Sequence, residues 1–160
     1  EECVREKDYT GKANLMALNV KGFDAGAPVH NPKAMVNGTT KKAGDIYSNL
    51  KAQVHGITAQ KLYNTYRFIV LGERDIDFGD MLSLDIEDNA VFNKLARELS
   101  TPLWIKSLVN SKKKVEDKKA MEKRTGLPSP NIADGVHMLS DPSVDSGLGN
   151  LLKMAMGAKR

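Results

Sequence analysis

Pro130 restricts the folding of this chain more than any other single residue, because proline is accepted in the first turn of a helix and almost nowhere else in regular structure. Ser129 precedes it and belongs to the residue types that cap helix N-termini. A helix is therefore predicted to open at Ser129-Pro130-Asn131. Ile132, Val136 and Leu139 then recur at i, i+4 and i+7, giving that helix one apolar stripe for packing on a core. At about 100° per residue, Asp134 lies about 200° around the helix from Ile132, with His137 one turn further on. Asp134 thus faces either solvent or a cleft, and taken alone it reads as an ordinary solvated aspartate.

Upstream elements supply packing partners. Leu15 to Val20 is a short apolar run suited to a buried strand, and Gly22, Gly26 and Pro28 turn the chain into a long loop. Ala43, Ile46, Tyr47, Leu50 and Val54 follow helical spacing, which predicts a helix from about Thr40 to Gln53 that Gly56 stops. Thr58 is expected to cap a second helix carrying Leu62, Tyr63, Tyr66 and Val70, closed by Gly72, with its tyrosines in the core. Phe92, Leu95, Ala96 and Leu99 mark a third helix ending near Pro102. Leu103 to Leu108 and Lys112 to Glu116 read as two strands of a hairpin around Asn110-Ser111, with Trp104 as a packing anchor.

The 160 residues suit one domain that buries about two thirds of its unfolded surface. With 41% hydrophobic and 28% charged residues the composition is that of a folded globular chain, and no apolar run approaches the ~20 residues of a spanning helix. The single cysteine, Cys3, has no internal disulfide partner. A net charge of +4 hides two opposed segments. Between Glu73 and Asp88, seven acidic residues stand against Arg74 alone; between Lys106 and Arg124, eight basic residues stand against three acidic ones. The basic segment attracts a phosphate backbone, although Lys112, Lys113 and Lys114 also suit a solvated hairpin tip. Asp75, Asp77 and Asp80 imitate the alternating ligands of a calcium loop, but the glycine and closing glutamate of an EF-hand are missing, so a solvated loop is expected there.

Read together, Val115-Glu116-Asp117-Lys118, Lys123-Arg124-Thr125-Gly126 and Leu127-Pro128-Ser129-Pro130-Asn131-Ile132-Ala133-Asp134-Gly135 resemble the C-terminal nuclease domain of the large terminase subunit of tailed double-stranded DNA bacteriophages. That family shows a hairpin ending in Glu-x-Lys, a basic turn with Arg and Gly, and Ser-Pro-Asn-x-Ala-Asp opening a helix. His30-Asn31-Pro32-Lys33-Ala34 with Asn37, Thr65-Tyr66-Arg67 through Gly72-Glu73, Asp80 to Leu84, and Arg97-Glu98-Leu99-Ser100 before Pro102 extend the likeness over about residues 14 to 142.

The resemblance implies an α/β, RNase H-like (RuvC-like) nuclease fold and a divalent-metal-dependent endonuclease acting on concatemeric double-stranded DNA, with Mg²⁺ or Mn²⁺ in a two-metal site. By the same resemblance Asp134 is a metal ligand and catalytic residue, and Lys118 is a second catalytic residue that also contacts DNA. Lys112, Lys113, Lys114 and Arg124 join it as DNA-binding residues; Glu116 and His137 are further candidates. The portal protein, the small terminase subunit and an ATPase domain on the parent polypeptide are the implied partners, with no membrane. The implied location is the host cell cytoplasm at the procapsid, outside the mature virion.

One departure qualifies this. The family's first acidic strands belong before Leu15, where only 14 residues precede, too few for two strands of about 5 residues and a crossover of a dozen or more. The fold is thus expected to be incomplete on its N-terminal side, in keeping with a start at Glu1. Residues 1–142 are read as the nuclease part and 143–160 as a flexible or amphipathic tail carrying Leu148, Leu151, Leu152, Met154 and Met156. A non-catalytic DNA-gripping module of the packaging motor and a plain interaction domain are the alternatives. No internal repeat, CxxC, GxSxG or phosphate-binding glycine loop is present; Gly11-Lys12 lacks the rest of a P-loop. Asp24 and Asp8 are the carboxylates to test first should the chain prove active alone.

Overall fold

A computed structural model of the chain describes residues 22–106 and 111–142. The expected strand at Leu15–Val20, Cys3, Asp8, Gly11-Lys12, the Asn110 end of the hairpin turn and the tail from 143 onward lie outside them. Five helices are described, α1 (Ala43–Ile46), α2 (Leu50–Ile69), α3 (Asn89–Ser100), α4 (Lys118–Thr125) and α5 (Asn131–Met138). A 3₁₀ turn at Phe78–Asp80 and an antiparallel hairpin of β1 (Trp104–Lys106) and β2 (Lys113–Val115) complete the described elements.

The helix expected over Thr40–Gln53 is broken at Tyr47. There the Ser48 N–H donates to the Lys113 carbonyl at 2.9 Å, and Tyr47 forms a parallel bridge with Lys113, so β2 draws three residues out of helical geometry. Asn49 then restarts the helix by accepting the Ala52 N–H at 2.9 Å.

Gly56 does not stop α2 and Thr58 does not cap a new helix. The 20 residues run unbroken, and the Thr58 hydroxyl donates back to the Val54 carbonyl at 2.9 Å within the helix. Gly56 has a packing role instead, since a Cβ at that position would collide with the Tyr47 ring and hydroxyl. Tyr63 and Tyr66 are not core residues either. They are 55% and 48% exposed and stack on each other, with Arg67 over Tyr63, whereas Tyr47 is the buried tyrosine among the described residues.

Two apolar clusters flank α2. The first joins Ala43, Tyr47, Ala52 and Val115. The second joins Leu95, Ala133 and Val136, with Leu82, Leu84, Ile86, Leu99 and Ile132 packed against it. The acidic segment therefore serves as a strap: Leu82, Leu84 and Ile86 turn inward by alternation, while Asp85 and Glu87 stay exposed. Thr65 pins it to α2, its hydroxyl donating to the Leu82 carbonyl at 2.8 Å.

The expected hairpin forms, and it pairs Trp104 with Val115, Ile105 with Lys114 and Lys106 with Lys113. Helix α5 opens one residue later than expected, and Ser129 is not its cap. The buried Glu98 of α3 takes that role by accepting the N–H groups of Ile132 and Ala133 at 2.8 and 3.0 Å. Its buried face is also displaced. Ala133, Val136 and His137 face inward, whereas Leu139 is 68% exposed beyond the last helical residue.

Candidate functional site

Three consecutive pieces of backbone place the chemistry. β2 delivers Glu116, whose N–H donates to the Leu103 carbonyl at 2.9 Å, and α4 starts two residues later at Lys118. Glu98 fixes the first turn of α5, which holds Asp134. Across that gap the Lys118 Nζ donates to Asp134 Oδ2 at 2.5 Å. The Asp134 side chain is 24% exposed, so of the two environments left open by the sequence the cleft is the real one.

The cleft measures about 470 Å³ and is walled by Lys51, His55, Asp117, Lys118, Asp134 and His137, with Gly26 and Asn49 at its edge. A second cavity of about 360 Å³ lies along α2 at Gln53, Gln60, Asn64 and Asp80 and contains none of the sequence-predicted site residues. Lys51, on the first turn of α2, donates from Nζ to the Glu116 carbonyl at 3.3 Å; burial holds its ammonium below the usual lysine range. The backbone donors of the same turn are engaged, Leu50 and Lys51 with the Ala27 and Ala25 carbonyls and Ala52 with Asn49. Lysine side chains, rather than a bare helix end, therefore supply the positive charge here.

His137 and His55 form the floor of the cleft, their rings stacked at 3.6 Å between centroids. The Thr58 hydroxyl lies 2.9 Å from the Val54 carbonyl and 3.0 Å from His137 Nδ1, so it joins the ring to the interior of α2. His137 Nε2 is buried with no hydrogen-bond partner among the described residues. Burial lowers the pKa of His137 to about 4 and that of His55 to about 3, the second helped by the charge of its neighbour. Both histidines are thus neutral near pH 7.

A depressed histidine pKa means that the unfolded chain binds more protons than the folded one, so stability is complete above pH 6.5 and declines as pH falls toward the folded values. At about 1.4 kcal/mol per pKa unit, acidification from pH 6.5 to 4 should cost about 3 kcal/mol for each ring, on the order of 5 kcal/mol for the two together. Urea unfolding at a series of pH values should show that decline, and the double variant His55→Gln/His137→Gln should flatten it. An unchanged slope in the double variant would place the acid sensitivity elsewhere.

The remaining sequence candidates divide. The Glu116 carboxylate is buried and pairs with Arg124, whose Nη2 lies 2.7 Å from Oε2; that hydrogen bond holds Glu116 below the usual carboxylate range. Arg124 also donates to the Thr101 carbonyl at 2.9 Å, so both side chains have structural partners that tie α4 to the hairpin, away from the cleft. Lys113 Nζ sits 5.6 Å above the Trp104 ring, and Lys114 lies 3.4 Å from Asp117. Lys112, Lys113 and Lys114 thus occupy the β2 end of the hairpin, outside the cleft wall. The sequence reading missed Lys51 and His55, because it ended a helix between them and the α5 face they meet.

Among the described residues no three His, Cys, Asp or Glu side chains converge in a way that would hold a metal ion. Asp134 with its lysine partner, and Asp117 on the same cleft wall, do not make a complete metal centre. No described helix is long and apolar enough to cross a membrane.

No family model matches the sequence, and no curated protein matches it. Among solved structures, the chain is similar to the nuclease domain of the large terminase subunit of bacterial virus Sf6, at 32% identity and a TM-score of 0.66, covering 74% of this chain and 51% of that one. A lysine-to-alanine mutant of that nuclease domain, solved with manganese and beta-thujaplicinol, matches with the same identity, coverage and TM-score. A mutant form with calcium matches at 31% identity and a TM-score of 0.61, over 72% of this chain and 49% of that one. The chain therefore spans about half the length of the solved domain it matches.

Proposed function

We propose, from the premise that this chain belongs to the nuclease-domain family of phage large terminase subunits, that it forms part of a divalent-metal-dependent endonuclease that cuts concatemeric double-stranded DNA during genome packaging. The reading includes an RNase H-like fold for the complete domain, an ATPase motor domain on the parent polypeptide, and the portal protein and small subunit as partners at the procapsid in the host cell cytoplasm. The observation that carries it is the Asp134–Lys118 pair in a cleft beside a lysine-bearing hairpin. The manganese and calcium in related structures support a divalent ion, with Asp134 as one ligand and further carboxylates from outside the described residues. Such an ion, when bound, activates water and neutralises charge on the phosphate. Lys118 holds a phosphate oxygen beside Asp134, and Lys112, Lys113 and Lys114 hold the backbone away from the cut.

A DNA-gripping module without chemistry is the second reading, favoured by the lack, among the described residues, of three metal-ligating side chains that converge. Nicking of supercoiled plasmid with Mn²⁺, and none with chelator, supports the nuclease; DNA binding without nicking by the full-length protein supports the grip. If the hairpin lysines bind phosphate, changing Lys112, Lys113 and Lys114 to Glu should remove about 0.9 from the salt slope of log K for each lost contact, whatever the DNA sequence. Unchanged anisotropy titrations of the triple variant would leave the hairpin as a solvated tip.

A further inference from the structure

Lys51 is the cleft cation to which neither the sequence reading nor the family resemblance gives a role. It reaches the cleft from α2, opposite Lys118 at the start of α4, and Asp134 enters from α5. Its ammonium has three donors, and the one hydrogen bond described for it, at 3.3 Å to the Glu116 carbonyl, anchors the side chain without neutralising it. Lys118 differs, being ion-paired with Asp134. The charges that act on Lys51 are Asp134 and Asp117 in its favour and Lys118 and Lys114 against it. Counting Lys51 itself, three ammoniums face two carboxylates, so the cluster keeps one positive charge in excess that an incoming anion matches, and the anion of the proposed substrate is a backbone phosphate.

We propose that Lys51 contacts a non-bridging oxygen of the DNA phosphate that lies against Asp134, so that Lys51 and Lys118 grip that phosphate from two different helices. This rests on the reading of the cleft as a DNA-cleaving site. It gives α2, the longest described element, a direct part in substrate binding. It also explains why the Lys51 stem is fixed to the Glu116 carbonyl, since the contact is then ordered before DNA arrives.

The test is fluorescence-anisotropy binding of a double-stranded DNA duplex over a range of salt to the full-length protein and to Lys51→Met and Lys51→Arg, with Lys94→Met on the exposed face of α3 as control. Methionine keeps the apolar stem and removes the charge; arginine restores it. Lys51→Met should lower the salt slope by about 0.9, the signature of one lost phosphate contact, and weaken binding several-fold at low salt. Lys51→Arg should recover most of both, and Lys94→Met should match wild type. With Mn²⁺ present, single-turnover nicking by Lys51→Met should fall further than its affinity does, by about 10²-fold, because the contact is made at the phosphate that reacts.

A salt slope for Lys51→Met equal to wild type, in a protein that binds DNA, overturns the assignment while leaving the nuclease reading intact. Failure of the wild type to bind DNA at all overturns both. Should Lys51→Met unfold, Lys51→Arg decides alone: wild-type binding and nicking support the contact, and loss of nicking with a wild-type melting curve and slope overturns it.

Discussion

Asp134→Asn should reduce metal-dependent nicking by the full-length protein by about 10³-fold or more while leaving the protein folded and able to bind DNA. The substitution keeps the size of the side chain and its ability to accept a hydrogen bond, and removes only the charge that a divalent ion needs. Its effect on folding should be small, because the group lost is one half of a partly exposed pair with Lys118, a class of interaction worth about 0–1 kcal/mol. Thermal melting within a few degrees of wild type, beside absent nicking, is the expected pattern, with any ATPase activity of the parent polypeptide unchanged. Nicking at the wild-type rate by the Asn variant would remove Asp134 from the chemistry and leave the cleft as a binding groove.

The second large effect should come from Glu98→Ala, which touches no part of the cleft. The buried carboxylate of Glu98 accepts two backbone N–H groups at the start of α5, and its loss leaves the buried Ala133 donor and the part-buried Ile132 donor without that partner. Charge-assisted bonds of this kind contribute about 1.5–3 kcal/mol each, and an orphaned donor adds a desolvation cost, so a loss of about 3–4 kcal/mol is expected. Urea unfolding should reveal it as a lower midpoint at constant slope. Glu98→Gln retains an acceptor oxygen and should recover part of the loss. Equal stability of Glu98→Ala and wild type would mean that α5 is held by Ala133 and Val136 alone. Since α5 carries Asp134, nicking should fall in step with the structural change.

The parts of the fold legible in the sequence are those whose causes are local. Helix α3 carries its own spacing of Leu95 and Leu99 and its own cap, Asp88, which accepts the Ala90 N–H at 2.7 Å. The hairpin declares itself by an apolar run from Leu103 and a lysine-rich run ending in Val115 on either side of a turn, and Asp134 can be placed in the first turn of a helix from Pro130 alone. What the sequence hides depends on distant partners. Gly56 and Thr58 look like a stop and a start, yet the glycine is there for the Tyr47 ring and the threonine serves the helix interior. Ser129 looks like a cap, but a carboxylate more than thirty residues upstream replaces it. Once α2 is split in two, Lys51 and His55 belong to the wrong helix, and their approach to Lys118 and Asp134 cannot be read from spacing.

Glu116 carries an implication for how such a site tolerates change. Its N–H is held by the Leu103 carbonyl, its carbonyl by Lys51 and its carboxylate by Arg124, so the residue two positions before Lys118 is fixed from three directions. The position of Lys118 is thereby indexed to the base of the hairpin and is independent of its far end. Insertions, deletions or charge changes in the connection between β1 and β2 should accordingly alter the reach of the chain along DNA without moving the reacting groups.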